Sequence, residues 1–297
     1  MLKRLDAKTL YIDAHVKVGV LLLEGGRCAI VDTGLDDDAG KQVLKVLQAE
    51  GLTVSRVILT HHHADHIGAA ALIRRRTAAQ VMASAFEKAL VENPYLEPFY
   101  LYGAAPFDAL ENRFLKAKPC PVDLVLEEGP LVIDGEAAGR AVALPGHSHQ
   151  QMGICSPDDV LFTADSFFPA EVLDKYPIPY HADVTRARAT LEALLATGHA
   201  AYLPAHGEPV SDVKPVARMN LEVMDRLSDF ILEILTRQPR SREEVLAAVV
   251  EAFPVTLNST QFHLTYSAIG AYLAHLKHQR FVEPEFTASH MLWRRSG

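Results

Sequence analysis

The sequence predicts an α/β fold followed by a mainly helical C-terminal module, and three observations carry that expectation. Short β-branched runs alternate with stretches of helical periodicity through the first two thirds of the chain. A dense histidine–aspartate cluster sits where one of those strands meets a helix. Beyond residue 211 the strands give way to long helical patterns. There ten basic and ten acidic side chains balance, so the net charge of −8 belongs wholly to residues 1–211.

The elements follow in order. Residues 16–23, the turn Glu24-Gly25-Gly26 and Arg27–Val31 read as two strands joined by glycines, and Asp32-Thr33-Gly34 ends the second. Within 36–50, Val43, Leu44, Val46 and Leu47 lie at helical spacing, and Gly51 stops that helix. Residues 57–59 form a short buried strand that runs into Thr60-His61-His62-His63-Ala64-Asp65-His66, with an alanine-rich helix continuing through Arg76. Gln80–Ala83 is the next strand.

Residues 84–118 break the alternation. Phe86, Tyr95, Phe99, Tyr100, Tyr102, Phe107 and Phe114 stand among two or three short helices interrupted at Pro94, Pro98 and Pro106, which predicts an insertion over one face of the sheet. Strands resume at 123–126, 131–133, 140–144, 151–155 and 160–163. A helix over 183–197 and a short strand at 202–203 lead into Pro204-Ala205-His206-Gly207. The tail predicts helices over about 213–237, from Ser241 (Glu244 three residues on makes a capping box) and around 260–278, then a hairpin from 281–284 and 290–295. That order is a winged-helix outline, so two domains are expected, 1–211 and 212–297.

Composition narrows the class. Nearly half the 297 residues are hydrophobic and about a fifth are charged, as in an ordinary globular protein. The acidic balance counts against broad nucleic-acid binding, which calls for a basic face. Cys28, Cys120 and Cys155 are too few and too scattered for a disulfide framework, which fits a reducing, cytoplasmic setting. The first thirteen residues lack the apolar run of a signal peptide, and the longest apolar run, 18–23, is too short to span a bilayer.

His61-x-His63-x-Asp65-His66 carries the chemistry. On extended backbone, side chains two apart point the same way, so His61 and His63 can reach one metal while Asp65 and His66 project toward a second position. Imidazole and carboxylate are usual zinc ligands, and a catalytic site keeps one position open for water. His147, Asp165 and His206 each close a later strand at an equivalent place. Their number completes two coordination shells. His62 points away from its neighbours, as a group supporting a ligand or facing solvent.

These residues resemble the metallo-β-lactamase superfamily. Asp32-Thr33-Gly34, the His61–His66 motif, Pro145-Gly146-His147, Phe162-Thr163-Ala164-Asp165 and Pro204-Ala205-His206-Gly207 stand in the order of its five motifs, between about residues 8 and 209. The resemblance implies an αββα sandwich. It implies one metal on His61, His63 and His147, another on Asp65, His66 and His206, and Asp165 bridging both. Asp32 would orient a ligand rather than bind metal. Where the best-known true β-lactamases of the superfamily hold a cysteine ligand, this chain has Asp165, so the pattern looks like the glyoxalase II, lactonase and nuclease branches. The tail resembles that of β-lactamase-like proteins with a C-terminal winged helix. Two departures stand out: Gln151 replaces a histidine that many relatives carry, and no basic cluster for glutathione is visible.

The expected function is a hydrolase with two zinc ions, iron or manganese being the alternatives. Two such ions share and activate a water as hydroxide, which attacks a small ester, lactone or thioester, while Asp65 or Asp165 accepts and returns the proton. Tyr180, His181 and His149 are the candidates for touching substrate. Two other classes stay open: an endoribonuclease or phosphodiesterase using the winged helix, and a mononuclear iron oxidoreductase like persulfide dioxygenase. Apolar residues of the last helix, such as Leu264, Ile269 and Leu273, suit internal packing or a homodimer contact.

Overall fold

A computed structural model describes residues 1–296. Two twisted sheets lie face to face. The first holds β1 (Leu2–Arg4), β2 (Thr9–Ile12), β3 (Val18–Leu22), β4 (Arg27–Val31), β5 (Thr53–Ile58), β6 (Gln80–Ala83) and β7 (Leu124–Val125) in sequence order, antiparallel as far as β4 and parallel from there. The second runs β12-β11-β10-β9-β8, built from β8 (Gly129–Ile133), β9 (Glu136–Ala143), β10 (Met152–Cys155), β11 (Val160–Ala164) and β12 (Ala201–Pro204). Its one parallel pair is β11–β12.

Strand alternation sorts the core into layers. Leu21, Ala29, Val31, Ile58 and Met82 of the first sheet face Leu131, Ile133, Met152, Ile154, Phe162 and Leu203 of the second. On the far side of the first sheet Val18, Val20, Ile30, Val57 and Val81 pack against α1 (Asp37–Ala49) and α3 (Ala70–Thr77) through Val43, Leu47, Ala70 and Ile73. On the far side of the second, Cys155, Leu161 and Tyr202 meet α7 (Val184–Leu195) through Ala187, Leu191 and Leu194. The layers are therefore helix, sheet, sheet, helix.

Several boundaries differ from the sequence expectation. β1 and β2 are additional to it, because Lys3, Arg4, Asp6 and Lys8 interrupt the apolar pattern; a charged, short edge strand is common where a sheet must not pair further. The expected alanine-rich helix is two, α2 (Ala64–Ile67) and α3. Gly68 lies between them, where a Cβ would stand 1.7 Å from the Leu35 carbonyl oxygen, so the chain passes there only as glycine. Residues 84–118 contain α4 (Ala85–Glu92) and α5 (Leu96–Tyr102). Pro98 does not break α5; it sits in the first turn, where its missing N–H costs nothing. α6 (Ala170–Lys175), beyond Asp165, is a further addition to the expected elements.

The tail folds as α8 (Lys214–Arg237), α9 (Arg242–Ala252), α10 (Ser259–His278) and the antiparallel hairpin of β13 (Val282–Phe286) and β14 (Met291–Arg295). Ser241 and Glu244 form the capping box read from the sequence. Leu227, Ile231 and Leu235 recur every four residues along α8 and are buried with Leu191, Tyr202, Ile269 and Leu273 in the same cluster that covers the second sheet. Asn220 of α8 accepts from the Phe168 N–H (3.0 Å) and donates to its carbonyl (2.8 Å). Among the described residues no helix is long and apolar enough to cross a membrane.

Candidate metal centre

The strand ends converge on one cleft. β4 ends at Asp32, β5 leads through Leu59 and Thr60 to His61, β9 is followed by His147, β11 ends beside Asp165 and β12 beside His206. Two of these ends adopt backbone that side chains avoid: Asp32 has φ +62° and Ala164, just before Asp165, φ +48°. Such positions persist where surrounding structure forces them, and they gather at functional sites. Gly146 (φ +132°) lets the loop before His147 press on α7, since a Cβ there would meet the Ala187 nitrogen at 2.2 Å.

His61, His63 and His147 form one group. His61 Nε2 lies 3.1 Å from His63 Nδ1, and His147 Nε2 lies 2.8 Å from the same atom. His147 Nδ1–H donates to the Tyr180 carbonyl at 2.8 Å, so its Nε2 presents a lone pair to His63 when the ring is neutral. Burial first, then the neighbouring imidazoles, pushes His61 and His63 well below the usual histidine range. His147 also lies low, burial outweighing the pull of Asp165.

Asp65, His66 and His206 form the other. His206 Nε2 is 3.4 Å from Asp65 Oδ2, and His66 Nε2 is 4.0 Å from the same oxygen. Here carboxylates prevail: against burial, Asp165, Asp32 and Asp65 hold His66 above its usual range, and Asp165 and Asp65 do the same for His206. Asp165 stands between the groups, its Oδ2 3.3 Å from His147, 3.5 Å from His66 and 3.8 Å from His206. Asp32 touches neither open face. It accepts from the Thr60 N–H (2.9 Å) and hydroxyl (2.8 Å) and receives His66 Nδ1–H at 2.8 Å.

These residues fit metal. His66 Nε2 and Asp165 Oδ1 are buried without any hydrogen-bond partner, and buried polar atoms are rarely left so. Within each of the triplets His61–His63–His147, His61–His66–Asp165 and Asp65–His66–His206, donor atoms lie within 4.8 Å of one another. Neutral imidazoles turned inward with carboxylates between them are the donors divalent zinc, iron or manganese accept.

The substrate-contact candidates divide. The Tyr180 ring lies 5.5 Å from that of His63. His181 is buried 6.0 Å from the His147 ring, its Nδ1 unpartnered and its pKa pushed down to about 3, chiefly by burial. His149 is exposed and packs on Phe86 at 4.6 Å, outside the cluster. His62 is not exposed, so that reading falls: its backbone N–H and Nδ1 both meet Glu87, and Nε2 is 3.2 Å from the Tyr100 hydroxyl. Glu87, fully buried, also accepts from Ser148 and from the Gln150 N–H, and so ties the His61–His66 loop to the His147 loop. The sequence does not single out Glu87, a lone glutamate on an ordinary helix with no spacing signature. Gln151 lies behind the cleft, donating to the Leu144 carbonyl and Ser166.

The family model of the metallo-β-lactamase superfamily matches residues 16–206. Hydroxyacylglutathione hydrolases are similar over about half of the chain. That of Cereibacter sphaeroides (strain ATCC 17029 / ATH 2.4.9) is 31% identical over 142 residues, 48% of this chain and 43% of its own length. That of Nitrobacter hamburgensis is 27% identical over 135 residues, 45% and 42%. The matched region thus spans less than half of these relatives. Among solved structures, a β-lactamase domain protein from Burkholderia ambifaria superposes with a TM-score of 0.77 at 17% identity, covering 99% of this chain and 94% of that one. A metallo-β-lactamase family protein from Thermus thermophilus gives 0.73 at 20%, covering 99% and 98%. At these identities the likeness is one of fold, and it takes in the C-terminal helices.

Proposed function

The chain belongs to the metallo-β-lactamase superfamily, and from that premise we propose that it is a metal-dependent hydrolase of a small ester, lactone or thioester, holding two divalent ions, zinc in the first place. The single observation that carries this reading is the pair of donor groups meeting at Asp165. His61, His63 and His147 would hold one ion, Asp65, His66 and His206 the other, and Asp165 would bridge them. Bound there, the ions would supply Lewis-acid polarisation and lower the pKa of water toward neutrality.

The chain's own residues do the rest. Asp32 keeps the His66 proton on Nδ1, leaving Nε2 free to face the cleft. The Tyr180 carbonyl does the same for His147. Asp65, a third of whose side chain is exposed, stands at the open side and is the group placed to take a proton and return it to a leaving oxygen or sulfur. No serine or cysteine nucleophile is called for: Ser148 is engaged by Glu87, and all three cysteines are buried. Tyr100 of α5, whose hydroxyl meets His62, and Tyr180, beside His63, suit a small, partly apolar substrate. The acidic charge and the packed apolar face of α10 supply little for a polyanion.

Comparing kcat/KM on a panel of small esters, lactones and thioesters with that on single-stranded RNA, at physiological salt and with zinc-loaded and metal-stripped protein, tests the reading. Turnover of a small compound that needs metal and exceeds turnover of RNA is expected. A clear advantage for RNA that is lost in Asp65→Ala would replace it with a nuclease.

A further inference from the structure

The histidines of the cluster each turn one ring nitrogen inward, and three of them give the other to a protein partner. His61 Nδ1 meets the Thr60 hydroxyl at 3.1 Å, His147 Nδ1 the Tyr180 carbonyl and His66 Nδ1 Asp32. His63 is turned the other way round. Its Nδ1 faces His61 and His147, so with Nδ1 ligating an ion the proton would sit on Nε2, and no hydrogen bond to that Nε2 exists among the described residues.

Near the His63 ring lies Glu97 of α5. This carboxylate is only 4% exposed, yet no hydrogen bond reaches it among the described residues. Its partner in the same helical insertion, Glu87, is also buried but collects donors from His62, Ser148 and Gln150. A carboxyl so nearly enclosed is costly without a hydrogen-bond partner. What the group lacks is a donor. Its oxygen and a ring nitrogen of each of His62 and His63 lie within 4.8 Å of one another. Both nitrogens of His62 are already engaged, by Glu87 and by Tyr100, so of these two histidines His63 is the one with a proton to give.

We propose that Glu97 is a positioning residue for His63, accepting its Nε2–H and so fixing the imidazole as the tautomer whose Nδ1 lone pair faces His61 and His147. The role rests on the metal reading above. A carboxylate behind a ligating imidazole fixes ring orientation and raises ligand basicity, and losing such a partner weakens metal affinity about 10- to 100-fold. The insertion thereby becomes part of the metal centre: α4 secures the loop through Glu87, and α5 sets one ligand through Glu97.

Full-length protein loaded with Co2+ tests this without a substrate. Proton NMR of the cobalt form reads the exchangeable imidazole N–H signals one by one, and a chelator competition reads affinity. Glu97→Ala should lose one of those signals to fast exchange and bind Co2+ about 10- to 100-fold more weakly. Glu97→Gln, whose amide oxygen still accepts, should recover both, which a merely space-filling residue would not do. An alanine variant with the full set of signals and wild-type affinity would overturn the proposal, as would a glutamine variant no better than alanine. Wild-type protein that takes up no Co2+ would instead remove the metal centre itself, and the role of Glu97 with it.

Discussion

The two donor groups at the cleft share Asp165 but are otherwise unlike. In the first, three imidazoles crowd together around His63 Nδ1, and burial with the neighbouring rings pushes His61 and His63 well below the usual histidine range. In the second, His66 and His206 are already drawn toward the protonated form by Asp165, Asp32 and Asp65, so ion pairs partly stand in for a metal. The first group therefore offers neutral nitrogen donors. The second is charged, and it still leaves His66 Nε2 without a hydrogen-bond partner.

That contrast can be broken most completely at the shared residue. Asp165→Ala should damage both groups at once, and metal content measured by inductively coupled plasma mass spectrometry should fall from about two ions per chain to below one, with hydrolysis abolished. Retention of two tightly held ions would mean that Asp165 bridges nothing. One step smaller, His147→Ala or His61→Ala should empty only the first position, leaving about one ion on the carboxylate-rich group. If either variant lost the second ion instead, the division of ligands would be wrong. Asp32→Asn sharpens the comparison from the other side. It removes the carboxylate that sets the His66 tautomer, so affinity at the second position should drop about 10- to 100-fold, with a smaller loss at the first through Thr60 and His61, read by stepwise zinc titration against a chelator.

Much of this centre was legible in the sequence, and the reason is local geometry. His61, His63, Asp65 and His66 lie on one turn of chain from strand to helix, so their spacing alone says that they converge. Asp165 and His206 could be found because each follows a strand whose apolar run is visible, and His147 because it closes the turn Pro145-Gly146 after a strand. Glu87 and Glu97 could not be found that way. They sit on helices whose other residues are ordinary amphipathic ones, and only the docking of the insertion against the cleft brings them to His62 and His63. The N-terminal strands escaped for a related reason: Thr9–Ile12 is fully buried by pairing between β1 and β3, a long-range effect its neighbours Asp6, Lys8 and Asp13 conceal. In the tail the capping box and the four-residue recurrence of Leu227, Ile231 and Leu235 speak for themselves, but their partners in the second sheet's core do not.

The tail offers a smaller test of the same logic, since its helices share a core with α7 and the outer face of the second sheet. Ile231→Ala should destabilise the whole protein by about 2–5 kcal/mol in denaturant melts, as one transition. Deleting residues 212–297 should give aggregation; a soluble, active truncation would instead mark a detachable binding module. Least affected should be His149→Ala, at an exposed ring on Phe86, with stability within about 0.5 kcal/mol and metal content unchanged.

The central claim, that one aspartate joins two unlike ligand sets around a pair of ions, is tested most directly by X-ray absorption on zinc-loaded protein. The expected spectrum has a nitrogen and oxygen shell without sulfur, about two ions per chain, and metal–metal scattering at about 3.5–4 Å. A single ion per chain with no metal–metal feature, or a sulfur ligand drawn from Cys28, Cys120 or Cys155, would contradict it.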